Sequence, residues 1–325
     1  MKIKWIKHSN NKTCDITEFV SMTTWSGSVS QAARSLEIAV LYSPLDRNIQ
    51  EINIALGDRL KLYSDDNDLL IDAMVYNRER ISEQGTITYS GYDELNRLLK
   101  SDGTYNFKNT TPEKITKKVC NDLKVDTGNI ASTNVNIKSL LADSMNYYDI
   151  IMTAYTKAHK MNGKKYMPFA SGKKVSVIEK GTIVKNFSLN DKINITGSSY
   201  SESLDSMINK VKIYDDKGKQ IGEVKNDGWI NAYGIFQSSY TKEEDVIASK
   251  AAKNMLTGID KTASVDALGN IYCISGFGVK LKDSLTGLTG VFWIDSDSHT
   301  WENGNHTMSL ELAFKNIMDE KEDSD

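Results

Sequence analysis

"GVFWIDSDSHTWENGNHTMSLELAF", residues 290–314, decides how this chain is read. It gathers His299 and His306, two of the four histidines, with Asp295, Asp297, Trp293 and Trp301. Such a set is either the start of a metal or catalytic cluster or a single β-hairpin that carries polar residues. Asn303-Gly304 favours the hairpin, because both central positions of a tight two-residue turn need positive φ. Pairing outward from that turn puts Trp301 opposite His306, His299 opposite Met308, Asp297 opposite Leu310 and Trp293 opposite Phe314. All these side chains then share one side of the sheet. His299 and His306 become diagonal neighbours on a face dominated by Trp, Met, Leu and Phe. A divalent ion wants three or four ligands with polar groups behind them, so the packed hairpin outranks the metal site.

The first hundred residues repeat this β character. "SLEIAVLY" alternates Leu36, Ile38, Val40 and Tyr42 with Ser35, Glu37, Ala39 and Leu41, a period of two. "KIKWIK", "DRLKLYS", "LLIDAMVY" and "GTITYSGY" are further strands, punctuated by the turn signals "SDDND" and "SEQG". Short strands at that spacing predict a sandwich or barrel. "YDELNRLLK" then closes the segment as a short helix, with Asp93 as its cap.

The pattern changes after residue 107. In "NTTPEKITKKVCNDL", Thr111 can cap, Pro112 suits the first helical position, and Ile115, Val119 and Leu123 fall at helical spacing. "NYYDIIMTAYTKAHKMNG" predicts a second helix, with Ile151, Tyr155 and Ala158 on one face and Gly163 as its stop. "KKYMPFASGKKVSVIEKG" follows as a hairpin. Strands resume in "KINITG" and in "NKVKIYDDKGKQIGEVKN", whose turn is "DDKG". An amphipathic helix, "EEDVIASKAAKNML", precedes the last strands. The expected fold class is therefore mainly β with α. Two β-barrel domains, 1–107 and 186–325, flank a small helical or α/β module, 108–185. The second barrel carries the inserted helix and a short acidic tail.

An internal echo ties the two ends together. A shift of 219 lays residues 59–93 over residues 278–312 with seven identities in 35 positions: Lys61/Lys280, Leu62/Leu281, Leu69/Leu288, Glu83/Glu302, Gly85/Gly304, Thr88/Thr307 and Ser90/Ser309. The turn glycines and the "K-L" strands keep register without a gap, as a structural repeat would. Three chains with two such barrels each would make a pseudo-sixfold ring of true threefold symmetry.

Composition narrows the function. A net charge of −3 with 26% charged residues gives no basic excess for nucleic acid. Cys14, Cys120 and Cys273 are odd in number, far apart and without a CxxC, which predicts free thiols in a reducing compartment. The N-terminus is too polar for a signal peptide. No apolar run approaches the roughly 20 residues of a membrane helix. Cys120 sits on a helix face without a histidine near it, so it is core, not nucleophile. "GFG" and "GLTG" lack the strand–loop–helix setting and lysine of a phosphate loop. No catalytic, cofactor-binding or metal-ligating residue is assigned, and no cofactor is expected.

Several of these segments together resemble the baseplate hub proteins of phage tails, above all those of PBSX-like elements and related contractile tails. The resemblance rests on "LGDRLKLYSDDNDLLIDAMV" followed by "GTITYSGYDELNRLL", with Gly57, Asp58, Tyr92, Asp93 and Leu95 at the family's positions. It also rests on the helix "TPEKITKKVCNDL" and on the closing aromatic-Ile and Met-Ser-Leu strands. One departure is Asp72, where such hubs usually carry glycine. The resemblance implies tail-tube-like barrels and a homotrimer that adapts a sixfold tail tube to a threefold central spike. It also implies tube, spike, tape-measure and other baseplate proteins as partners, no membrane, and a place in a virion or phage-tail-like particle assembled in the host cytoplasm. Two other readings stay open on the sequence: a tail-associated cell-wall hydrolase, and a glycan-binding module using Tyr147, Tyr148, Tyr155 and Tyr166.

Overall fold

The computed structural model describes residues 1–43, 51–81, 85–243 and 247–323. In chain order the strands of the first part are β1 (Lys2–Ile6), β2 (Thr13–Asp15), β3 (Val20–Ser28), β4 (Ser35–Leu41), β5 (Arg59–Tyr63), β6 (Leu69–Arg80) and β7 (Thr86–Tyr92). Helix α1 (Leu95–Leu99), β8 (Asp102–Thr110), α2 (Pro112–Asp122), β9 (Asp126–Ile130), β10 (Ile137–Asn146), α3 (Tyr147–Asn162), β11 (Tyr166–Ser171) and β12 (Lys174–Glu179) form the middle. Then come β13 (Ile183–Asn190), β14 (Ile195–Ser203), β15 (Lys210–Tyr214), β16 (Gln220–Lys225), α4 (Asp227–Tyr233), β17 (Gln237–Thr241) and α5 (Ala248–Asn254). The chain ends with β18 (Asp260–Leu268), β19 (Gly278–Lys282), β20 (Thr289–Glu302) and β21 (Asn305–Ala313).

Contacts divide the chain into two compact units, Met1–Ser198 with Ser264–Asp325, and Ser199–Ala263. The larger unit is built on one sheet ordered β14-β18-β21-β20-β3-β4-β7-β6-β5-β1-β2, with β19 against β20 and β13 against β19. The mainly β character with added helices is as the sequence reads. The closed barrels are not: among the described residues no sheet closes on itself, and strands from both ends of the chain share one path. The physical cause is the length of β20. Its first part pairs with β19, and beyond a bulge at Asp295 its second part, Ser296–Glu302, pairs with Ser28–Met22 of β3.

The echo of 219 residues is built into this sheet. Arg59, Leu60, Lys61 and Leu62 face Met74, Ala73, Asp72 and Ile71. Gly278, Val279, Lys280 and Leu281 face Trp293, Phe292, Val291 and Gly290, which is the same register 219 residues on. The pairing of β6 with β7 breaks at Tyr76, and that of β20 with β21 breaks at Asp295, again equivalent positions. Ahead of each meander, Gly57 and Gly276 hold φ of +87° and +89°, where only glycine is unstrained. Each donates its N–H at 2.9 Å to a matched carbonyl, Val75 or Ile294. The β6–β7 and β20–β21 pairings are offset by two residues on both sides of the bulges: Met74 faces Tyr92 and Arg78 faces Tyr89, whereas Trp293 faces Ala313 and Asp297 faces Leu310. The tight turn at Asn303 (φ +50°) and Gly304 (φ +78°) draws β21 along. Glu83 lies outside the described residues.

The apolar cores described in the larger unit include two that bear on its layout. One is built from Trp5, Trp25, Leu36, Ile38, Leu60, Leu62, Val75 and Tyr89, beneath the first meander. The other joins Ile115, Val119 and Cys120 of α2 to Ile151, Tyr155 and Ala158 of α3, as the helical spacing predicts. Pro112 opens α2, and Gly163 (φ +73°) ends α3. Strand β12 pairs with β11 and, in parallel, with β9, while β8 pairs with β10. Sequence periodicity does not disclose β8 and β10, because their alternation is carried by Thr, Asn and Lys as much as by apolar residues. The small unit has its own sheet, β16-β15-β17, and a core of Val211, Ile213 and Ala252. Its hairpin turns at "DDKG" as expected. Its last helix spans seven residues, with 244–246 outside the described residues.

Candidate functional site

The quoted hairpin meets β3 in a buried polar cluster of the larger unit. Alternation along β20 turns Asp297, His299 and Trp301 to one side, and the register sets them against Gly27, Trp25 and Thr23. Trp293 falls opposite Ala313, not Phe314, because the bulge at Asp295 inserts one residue and moves Trp293 off the face shared by the other three.

Arg34 and Asp297 form the centre. The guanidinium gives two parallel hydrogen bonds, 2.9 Å to Oδ1 and 2.5 Å to Oδ2, and the two side chains are only 9% and 0% exposed. Gly27 makes room for this. A Cβ there would lie 2.4 Å from Arg34 Nη1. The Ser275 amide donates to Asp297 Oδ1 at 2.6 Å, and Arg34 lies over the Trp25 ring at 4.1 Å. Behind it, the Arg34 amide donates to Asp93 at 3.2 Å, and the other Asp93 oxygen receives the Leu95 amide at the start of α1. Burial pushes the Asp93 carboxyl up to about 7 against these donors. The cluster therefore links β3, β20 and α1 through charge-assisted bonds.

The histidines complete it. His299 is fully buried, with Nε2 3.0 Å from the Cys273 carbonyl, so Nε2 carries the proton and donates. Nδ1 is then the acceptor for His306 Nε2 at 3.1 Å. His306 stacks on Trp301, with ring centres 4.1 Å apart. Burial drives both imidazoles toward the neutral form, and it lowers His306 to about 4 with help from His299. Both ring nitrogens of His299 are thus committed within the protein, and a metal would have to break the chain from His306 to the Cys273 carbonyl. Among the described residues no group of three His, Cys, Asp or Glu is placed to hold a metal ion.

Other sequence candidates fall into packing roles. Cys120 is buried and its thiol is pushed up to about 12 by desolvation. Tyr148, Tyr155 and Tyr166 are buried in the helical core, and Tyr147 packs edge-on against Tyr105. Asp72, the departure from the hub pattern, is buried and held by Arg59 at 2.6 Å and Lys61 at 3.5 Å. Asp58 follows Gly57 and binds Trp5 Nε1 at 2.7 Å and the His8 amide at 2.9 Å. Burial alone would raise its carboxyl, but the His8 and Ala55 donors more than offset this and hold it below the usual range. The residues that sequence reasoning missed are Arg34 and Ser275. Nothing local marks Arg34 as the partner of a residue 263 positions away. Among the described residues no helix is long and apolar enough to cross a membrane.

Comparison with known proteins gives the relatives of this arrangement. The chain is 25% identical over 300 residues to the phage-like element PBSX protein XkdQ of Bacillus subtilis, which covers 89% of this chain and 91% of that protein. Its fold is similar to the 43 kDa tail protein of prophage MuSo2 from Shewanella oneidensis, with a TM-score of 0.73, 13% identity and 96% of each chain covered. A tail protein from Neisseria meningitidis matches at a TM-score of 0.64 and 12% identity, over 96% of this chain and 95% of that one. The YqbQ-like family model matches residues 23–313, and the chain belongs to the YqbQ-like family.

Proposed function

We propose that this chain is a structural protein of a phage-type tail and, within it, the baseplate hub: a homotrimer adapting a sixfold tail tube to a threefold central spike. The observation that carries this reading is the repeated meander. Two copies of one strand arrangement, in identical register through their first hairpin, lie side by side in one sheet. Three chains then present six equivalent elements, which is what a sixfold neighbour requires from a threefold part. The relatives, named as PBSX and prophage tail proteins, agree with a tail role. On this reading the chain divides into 1–107, 108–185 and 186–325, and the core of α2 and α3, apart from the one beneath the first meander, supports the middle module.

On this reading the partners are further copies, the tail tube protein, the central spike, the tape-measure protein and other baseplate proteins. The protein works in a virion or phage-tail-like particle assembled in the host cytoplasm. It catalyses nothing; its polar cluster is a joint. Mass measurement by light scattering over a range of concentrations, followed by electron microscopy of the purified chain, tests the proposal. A trimer with six lobes around a pore is expected, and a two-fold dimer or a chain that stays monomeric would overturn it.

A further inference from the structure

The repeat exposes an edge that one half of the chain covers and the other leaves bare. In sheet order the halves correspond as β3-β4-β7-β6-β5 and β14-β18-β21-β20-β19, each also in the same chain order. In the second half, Ser296–Glu302 of β20 is covered along its outer edge by β3, and Asp297, His299 and Trp301 are buried there. Beyond the bulge, the carbonyl of Asp295 receives the Val29 amide at 2.8 Å. The equivalent segment of the first half is Asn77–Arg80 of β6, with Tyr76 in the place of Asp295. It pairs with β7 on one side only, and Tyr76–Arg80 are all exposed. Among the described residues no strand lies on its other side. The counterpart of β3 is β14. It ends the sheet path, and Ile195–Ser198 offers neither the proline nor the lysine that blunts free edges. The opposite end of the path, β2, is only three residues long.

We infer that β14 of a second copy of this chain pairs along Asn77–Arg80 of β6, reproducing between chains the β3–β20 seam inside one chain. The occupant is a copy of the same protein because the seam that defines the fit is itself built from the two equivalent halves. The contact joins unlike edges, β14 of one chain to β6 of the next. It is therefore head-to-tail, the kind of contact that builds a ring and not a two-fold dimer. The Tyr76 carbonyl accepts from the incoming strand, as the Asp295 carbonyl does from Val29. Arg78, now bonded to Asn53 at 3.3 Å, and Arg80, over Tyr42 at 5.1 Å, flank the joint. This inference rests on the hub reading and specifies which surfaces make the assembly.

Hydrogen–deuterium exchange on the full chain, dilute and concentrated, tests it alongside the mass. Slower exchange is expected at 77–80 and 195–198 together as the oligomer forms, with β2 unchanged. Successive amides of a strand point to opposite edges, so Thr196→Pro and Gly197→Pro are compared. One removes a donor facing β18 and the other a donor facing the new partner. The outward proline should weaken association at least tenfold while leaving the unfolding transition of the monomer in place. An oligomer that forms without protection at these two segments, and that both prolines leave intact, overturns the inference but keeps the hub. A chain that stays monomeric overturns both.

Discussion

Breaking the Arg34–Asp297 pair should cost far more than its count of bonds suggests, and a double-mutant cycle measures why. Asp297→Leu leaves a guanidinium 9% exposed with its carboxylate gone, and Arg34→Met leaves a carboxylate with no exposure, bonded to the Ser275 amide and 3.6 Å from His299 Nε2. Stranding one member of a buried pair costs about 3–5 kcal/mol. For a unit of this size that is roughly 10 °C or more in Tm. Replacing both members removes the stranded charge, and what remains is the lost acceptor of the Ser275 amide, about 1–2 kcal/mol. The double variant should therefore be more stable than either single one, with a coupling of at least about 4 kcal/mol, the two single costs less that of the double. Urea unfolding followed by tryptophan fluorescence reads it, in a Trp229→Phe background so that the small unit is silent. Single costs below about 1 kcal/mol that simply add would refute the claim that this pair is the joint between β3 and β20.

Acid should loosen the same joint. His306 titrates near 4 in the folded chain against its ordinary 6.5, so the unfolded chain binds the extra proton between those values. The contribution of this imidazole is full above about 6.5 and falls as pH drops toward 4, by of order 2 kcal/mol after solvent screening, while Asp93, raised to about 7, works in the opposite direction over that range. His306→Gln should flatten that slope in unfolding measured at pH 7 and pH 5; an unchanged slope would acquit the imidazole. Gly91→Ala should cost at least about 2 kcal/mol in urea unfolding, because its Cβ would lie 2.2 Å from the Met74 carbonyl oxygen. Gly304→Ala, at φ +78°, should cost about 1 kcal/mol by the same assay, and a neutral result would mean the turn relaxes. Cys120, buried with its thiol near 12, should resist a thiol reagent until the chain unfolds, whereas half-buried Cys14 reacts first; early labelling of Cys120 would expose a breathing helix.

Local chemistry was legible and long-range pairing was not. Asn303-Gly304 announced the hairpin because a tight turn has few alternatives, and Pro112 and Gly163 marked helix ends for similar reasons. The repeat could be read because Lys61/Lys280 and Gly85/Gly304 keep spacing. Its stronger signature, Gly57 and Gly276 at one backbone conformation, needed the hydrogen bonds to be seen. The bulges at Tyr76 and Asp295 carry no residue type of their own, so the register on the Trp293 side of Asp295 was misjudged by one. Barrels were expected because alternation specifies a buried face but not which edges meet. The β3–β20 seam is a meeting of edges. Arg34 was invisible for the same reason: its partner is chosen by topology.

The small unit leaves the main sheet along β14 and re-enters along β18, strands that sit next to each other in that sheet. A detour bounded by adjacent strands can be excised and replaced by a short loop, or exchanged for another module, without cutting the fabric it hangs from. That arrangement makes residues 199–263 a detachable module with a core of its own. Changes within them need not disturb the order of the strands on either side.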